Sequence, residues 1–425
     1  MDEEPAPMLT VFVPRETAAG ETRVAMSPAA IKPLNKRGVT VRIEAGAGAS
    51  AHFGDDELRA AGAEIVPTAE AGAAMASAEI VLKVAPPSAD EVAAMGKGAI
   101  LISFADPYRE HDRVRQLRDR GISCLAMELV PRISRAQSMD ALSSQASIAG
   151  YKAALLVAAN LDKYCPLLMT AAGTIKPARI VVMGAGVAGL QAVATARRLG
   201  AIVEVSDIRP AVKEEVESLG GKFIDLPMKE SGEGEGGYAR QVSADFLRKQ
   251  QEIVAEHVRQ ADAVITTALV PGRKAPVLVT EKMVENMRDG AVILDMAVAM
   301  GGNCALSEQD QDVIRHGVLI LGPSNLPATM PRDASMVYSR NLVALLQLLV
   351  DKDGNLSLDL SDEIIAGALL THDGAVRNQR VAEALGDGPK AGEPNVGAND
   401  AGDPKVGEKD ADDNGDRAAD AGKDA

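Results

Sequence analysis

Tryptophan is absent from this 425-residue chain, and tyrosine and phenylalanine number five each. The core must therefore be aliphatic, and 46% hydrophobic residues supply enough material for one. Interiors of this kind suit buried parallel strands covered by helices. Cysteine is scarce too. Cys124, Cys165 and Cys304 are odd in number and lack CxxC spacing. A disulfide framework or zinc site is not expected, and a reducing cytoplasm fits. The five histidines (His52, His111, His257, His316, His372) show no HExxH or paired spacing, so they read as surface or helix residues and no metal site is expected. No run of about 18 apolar residues occurs, so no membrane-spanning helix is expected. The amino-terminal MDEEPAPM is acidic, lacks an apolar stretch and does not read as a signal peptide.

Excess positive charge is also lacking, since the formal net charge is −15. The segment from Gly386 to Ala425 carries 11 acidic and 5 basic residues, a net −6, which leaves about −9 on the body. That disfavours a nucleic-acid partner, which needs a basic face. It leaves nucleotide binding open, because backbone amides and helix N-termini can carry a phosphate.

What the chain does have is alternation of strand and helix. Short apolar runs at Leu9–Val13, Val39–Ile43, Ile80–Val84 and Ala99–Ser103 read as strands. Helical stretches lie between them, including Pro28 to Arg37, opened by Ser27 as N-cap, Asp55 to Ala61 and Asp112 to Asp119. Such alternation implies a parallel sheet with right-handed crossovers. An Ala/Leu-rich helix from about Ser138 to Lys163 then reads as the connection to a second unit. There six strands are expected, at Ile180–Met183, Ile202–Ser206, Lys222–Ile224, Ala263–Thr266, Val292–Asp295 and Val318–Leu321. Another helix, Ser335 to Val350, reads as a return to the first unit. The expected fold class is α/β: two doubly wound Rossmann-like domains with parallel sheets, joined by long helices. The expected division is 8–137 with 333–380 for the first domain and 138–332 for the second. Lys229–Tyr238 is too rich in Gly and Glu to pack and reads as a mobile surface loop. From 386 to 425 the apolar content collapses and an imperfect ten-residue repeat appears, so a disordered acidic tail is expected.

The strongest motif is Gly184-Ala185-Gly186-Val187-Ala188-Gly189, after the apolar strand at Ile180 and opening a helix at Leu190–Leu199. GxGxxG alone is weak, but this context gives it content. Gly184 permits the tight turn, Gly186 lets a pyrophosphate approach the backbone, and Gly189 lets helix and strand pack closely. Asp207 lies 23 residues after Gly184, at the end of the next strand, where an acid accepts ribose hydroxyls and repels a 2′-phosphate. NAD is therefore expected over NADP, although Arg209, beyond Ile208, is placed where it could accept that phosphate. Thr266–Gly272 and Asp295 before Gly301-Gly302-Asn303 line the carboxyl ends of strands and are otherwise ordinary strand-to-helix loops. Arg132–Asp140 (RISRAQSMD) sits at the junction, where ligands bind. Arg, Gln and Asp there suit a carboxamide, phosphate or hydroxyl, or equally a solvated helix cap.

Two longer segments, MELVPRISRAQSMDALSSQASIAGYKA and GAGVAGLQAVATARRLGAIVEVSDIRPAVKEEVESLGGKFI, resemble the NAD(H)-binding component of proton-translocating transhydrogenases. The stretches RKQ, TTALVPGRKAPVLVTEKMV and GGNCALS agree, and the resemblance covers about residues 8 to 380. It implies that Arg132, Gln137 and Asp140 hold the nicotinamide side, with Ser138 and Ser143 beside them. It implies that Gly184, Ala185, Gly186, Val187 and Gly189 take the pyrophosphate, and that Asp207, Ile208 and Arg209 surround the ribose. Gly237 and Tyr238 would sit on a loop closing over the nucleotide, with Gln250 and Leu269 lining the site. It further implies a homodimer, an NADP(H)-binding partner subunit, membrane-embedded partners that couple hydride transfer to proton movement, and a cytoplasmic location peripheral to the inner membrane. One departure is Ala299, where such proteins usually carry an acid.

RVAMSP and LKV also resemble alanine dehydrogenase. Arg23 and Lys83 match two residues that family needs. Its histidine is missing from Ser103–Pro107, however, and its aspartate position falls at Ala299. Oxidative deamination would then lack its proton carrier. A non-catalytic NAD(H)-sensing module is the remaining alternative.

Overall fold

The computed structural model describes residues 9–226, 244–269 and 272–386, with the backbone alone for 244–248. The first sheet begins with β1 (Leu9–Val13), β2 (Val39–Glu44), β3 (Glu64–Val66), β4 (Ile80–Leu82), β5 (Ile100–Ser103) and β6 (Ser123–Ala126). These run parallel in the order β6-β5-β4-β1-β2-β3. The chain reverses its direction of growth between β1 and β4, which makes that junction the switch point of the sheet. Side chains alternate across it, as a period of two requires. Val11, Ile80, Leu82 and Ile102 face one aliphatic core, while Phe12, Val81, Leu101 and Cys124 face another.

Next comes the connecting helix Ala141–Asn160, then a small antiparallel hairpin, β7 (Leu168–Thr170) and β8 (Gly173–Ile175). The second sheet follows: β9 (Arg179–Met183), β10 (Ile202–Ser206), β11 (Lys222–Phe223), β12 (Ala263–Thr266), β13 (Val292–Asp295), β14 (Asp312–Arg315) and β15 (Val318–Leu321). Its order is β11-β10-β9-β12-β13-β15-β14, with β14 antiparallel at the edge. Ile180 and Val182 pack under the connecting helix, and Val181 and Met183 pack on the opposite face. Each such side chain removed from water contributes about 1.5–3 kcal/mol.

The chain then returns through the helix Pro331–Leu349, whose Tyr338, Leu342, Leu345 and Leu346 are buried in a core of the first sheet. β16 (Leu369–His372) and β17 (Ala375–Val376) extend the first sheet antiparallel beyond β6. Among the described residues no helix is long and apolar enough to cross a membrane.

Several expectations need correction. The second sheet has seven described strands rather than six: β14 is mostly exposed, so nothing in its hydrophobic pattern marks it. In the first sheet, β3 and β6 are short, and β16 and β17 lie outside the expected strand–helix alternation. The connecting helix begins at Ala141, not Ser138, because Asp140 caps it and Ser134–Met139 forms a 3₁₀ turn instead. The returning helix begins four residues before Ser335, at Pro331 in its first turn. The expected glycine-rich loop and acidic tail lie outside the described residues.

The switch point of the first sheet is filled from within. Glu16, just past β1, accepts from Lys83 Nζ at 3.0 Å and from the Val84 N–H. Lys83, just past β4, also meets Glu91 at 2.8 Å and is 1% exposed. Burial pulls the Lys83 ammonium down, but the two glutamates outweigh it and raise it above the ordinary lysine range. Burial pushes the Glu16 carboxyl up despite the lysine beside it.

Candidate nucleotide site

The glycine turn begins where β9 ends. Gly184 has φ +106°, and a Cβ there would lie 2.5 Å from Thr267 Oγ1. A Cβ on Gly189 would overlap the Gly184 carbonyl oxygen. Around Gly186, by contrast, a Cβ would meet nothing within 4 Å. Two glycines are therefore required by packing, whereas the third leaves open space at a helix N-terminus. That helix, Val187–Arg198, has Gly186 as its N-cap and no side-chain cap. The N–H groups of its first turn have no intrahelical acceptor and form an anion-binding end.

Asp207 follows β10, which pairs in parallel with β9 and so brings this carboxylate beside the turn. Its Oδ2 accepts from the Ala185 N–H at 2.7 Å, and its Oδ1 from the Arg209 N–H at 2.8 Å. The Arg209 guanidinium also pairs with it, Nε at 3.1 Å from Oδ1. Burial pushes the Asp207 carboxyl up, but Arg209 and these N–H groups outweigh it and hold it below the ordinary aspartate range. The Asp207 side chain is 6% exposed and that of Arg209 50%, so the arginine has room to swing away. Ile208 and Leu269 are exposed apolar side chains, Val187 is exposed as well, and Gln250 is half-buried on the helix Ala244–Gln260. Gly237 and Tyr238 lie outside the described residues.

The opposite wall is supported by Asn303, which is fully buried. Its side chain accepts from the Ala268 N–H at 3.0 Å and donates to the carbonyls of Ala268 and Pro276. Asp295 is also fully buried and accepts from the N–H groups of Ala297 and Cys304 and the Ser307 hydroxyl. Both hold loops in place rather than face open space.

The other half of the site is the loop before the connecting helix. Arg132, Ser134, Gln137, Asp140 and Ser143 line a cavity of about 240 Å³ with Pro131, Ile133 and Ala136. The cavity suits a head group rather than a whole dinucleotide. Arg132, Gln137 and Ser138 are exposed, whereas Ala136 and Met139 are buried in a core of the first sheet. Asp140 accepts from the Ser143 N–H at 2.8 Å and its hydroxyl at 2.6 Å, so it is both a cap and a cavity wall. Arg135 points elsewhere, into a two-bonded pair with Asp362.

The connecting helix joins the two halves. A Cβ on Gly150 would overlap the Ala188 carbonyl oxygen in the glycine-turn helix. Gly150 is ten residues from Asp140, which puts the cavity about 15 Å along the helix axis from that crossing. Sequence reasoning missed Gly150, Thr267 and Asn341. An isolated glycine within a helical pattern was the available signal for the first, and a polar residue in an Ala/Leu helix for the last. Nothing local marks the packing role of Thr267.

Arg23 and Lys83 are engaged internally. Arg23 donates to Glu21 at 2.6 Å and to Gln145 at 2.8 Å, and it is 8% exposed. The loop Ser103–Pro107 instead sits over Glu128, which accepts from the N–H groups of Ala105 and Asp106.

Comparison with known proteins agrees over most of the chain. The alanine dehydrogenase/PNT N-terminal domain matches residues 12–149, and the C-terminal domain of the same name matches residues 153–379. The chain is 48% identical over 377 residues to the first of the polypeptides that make up NAD(P) transhydrogenase subunit alpha in Rhodospirillum rubrum, covering 87% of this chain and 97% of that one. It is 32% identical over 384 residues to alanine dehydrogenase of Mycolicibacterium smegmatis, covering 89% and 97%. A solved transhydrogenase structure from Sinorhizobium meliloti superposes with a TM-score of 0.78 at 44% identity, covering 86% of this chain and 99% of that one.

Proposed function

From its membership of the alanine dehydrogenase/PNT family, to which this chain belongs, we propose that it is the NAD(H)-binding subunit of a proton-translocating transhydrogenase. The observation that carries the proposal is the cavity formed by Arg132, Gln137, Asp140 and Ser143, held by one helix against an open glycine turn. The transhydrogenase subunits among its relatives support it.

NADH supplies the hydride, and NADP+ on a partner subunit receives it. This chain's residues then bind and orient. The first-turn N–H groups of Val187–Arg198 take the pyrophosphate, and Asp207 accepts the ribose hydroxyls once Arg209 turns outward. Ile208 and Leu269 offer apolar surface to the adenine. Arg132 holds the carboxamide oxygen, Asp140 and Ser143 fix the ring edge, and Gln137 reaches toward the partner's nucleotide. No group on this chain has to move a proton, so its contribution is approach and orientation.

Homodimerisation, membrane-embedded partners that couple transfer to proton movement, and a cytoplasmic position beside the inner membrane belong to this reading. So does the division into 8–137 with 333–380 and 138–332. The internal partners of Arg23 and Lys83, the missing histidine and Ala299 all weigh against oxidative deamination.

The test mixes this chain with an NADP(H)-binding transhydrogenase domain, NADH and an absorbance-shifted NADP+ analogue. Fast transfer that needs both proteins is the expected result. Tight NADH binding without transfer would leave a sensing module. Turnover of alanine or pyruvate instead would move the chain to the dehydrogenases.

A further inference from the structure

Asn341 lies on the returning helix, 7% exposed, and faces no cavity named so far. Its Nδ2 donates to the carbonyl oxygen of Ser138 at 2.8 Å. Its Oδ1 accepts from the Ser144 hydroxyl at 2.7 Å. Ser138 belongs to the 3₁₀ turn that carries Gln137, and Ser144 to the first turn of the connecting helix. One amide thus ties together both ends of the segment containing Asp140 and Ser143. One residue beyond Ser144, Gln145 is held in the same way, by Arg23 and by the carbonyl of Ala334 on the returning helix.

The geometry assigns Asn341 as a positioning residue for the nicotinamide cavity, an inference that rests on the proposed function and goes beyond its contact residues. The amide suits the task because it presents one donor and one acceptor in a fixed plane. The Ser138 carbonyl needs the donor and the Ser144 hydroxyl needs the acceptor. The first helical turn and the exposed loop then move as one body, with Gln137 and Arg132 on its solvent side. The adenosine and pyrophosphate anchors lie elsewhere, on the second sheet. Loosening this body should therefore disturb ring placement far more than dinucleotide capture, since misplacement of about 1 Å can cost 100-fold in rate.

Asn341→Asp and Asn341→Ala separate this role from packing. The aspartate keeps the shape and the acceptor for Ser144 but sets a carboxylate oxygen against the Ser138 carbonyl. Both variants are expected to slow single-turnover hydride transfer at least about tenfold, with the NADH Kd changed less than about threefold. The fluorescence of bound NADH, which reports the surroundings of the ring, should shift toward that of free NADH. Ser144→Ala, which keeps the bond to Ser138, should retain most of the rate. Wild-type rate and fluorescence in both Asn341 variants would overturn the assignment, as would equal losses in affinity and rate. Failure of the wild-type chain to bind NADH would instead overturn the proposed function itself.

Discussion

Gly150 and Ala188 touch so closely that no side chain fits between their helices: a Cβ at Gly150 would overlap the Ala188 carbonyl oxygen. Alanine normally improves on glycine inside a helix by about 1 kcal/mol. Here overpacking, at about 1–3 kcal/mol, should exceed that gain. Gly150→Ala should melt at a lower temperature than wild type and bind NADH more weakly. A raised melting temperature would mean that the two helices separate freely.

The glycine turn divides packing from ligand space. Gly189→Ala should destabilise the fold, because its Cβ would meet the Gly184 carbonyl. Gly186→Ala should leave the melting temperature near wild type and weaken NADH binding about tenfold or more, a loss of about 1.4 kcal/mol. Equal destabilisation by both changes, seen in denaturant titrations, would remove Gly186 from the phosphate site.

Asp207→Ala should weaken NADH binding about 10- to 100-fold, because bonds to a charged acceptor contribute about 1.5–3 kcal/mol. It should also relax exclusion of NADPH, since Arg209 loses its partner and can meet a 2′-phosphate. Calorimetric titration with both nucleotides checks this. Unchanged binding of both would refute the ribose assignment.

Gln137→Asn shortens a side chain that lines the cavity and is exposed on its outer side. Hydride transfer should slow markedly while NADH binding stays nearly intact. If stopped-flow and equilibrium titrations show binding collapse instead, Gln137 is an anchor for the dinucleotide.

Glu128 sets a pH dependence. Its Oε2 is buried without a partner among the described residues, and burial pushes its carboxyl up to about 7. Unfolded, the same group ionises near 4.5. Between these values the native chain holds the extra proton, so stability falls as pH rises and the loss is complete above pH 7. Asp106, also raised by burial, acts in the same direction. Glu128→Gln should flatten this decline and stabilise the chain at pH 8 by at most about 3 kcal/mol. A decline that persists unchanged in the variant would assign it to other groups.

Much of the fold was legible because buried parallel strands are short aliphatic runs, and β1, β9, β10, β12, β13 and β15 all read that way. Strand β14 did not, since an exposed edge strand carries no hydrophobic signature. The glycine turn and Asp207 were legible through fixed spacing in a strand–turn–helix setting. The cap at Asp140 was harder, because an Ala/Leu-rich helix gives no register, and only the bond from Ser143 fixes where it starts. Asn341 was out of reach. Its partners lie about 200 residues away, and tertiary pairing of that kind leaves no local trace.

The two sheets share one winding order, yet they are not equivalent as receptors. At the first switch point the carboxylates of Glu16 and Glu91 already claim the Lys83 ammonium, so a phosphate arriving there would meet buried negative charge and no spare cation among these three groups. Duplication of the architecture therefore does not double the binding capacity. Saturation should come at one dinucleotide per polypeptide, with a single class of sites.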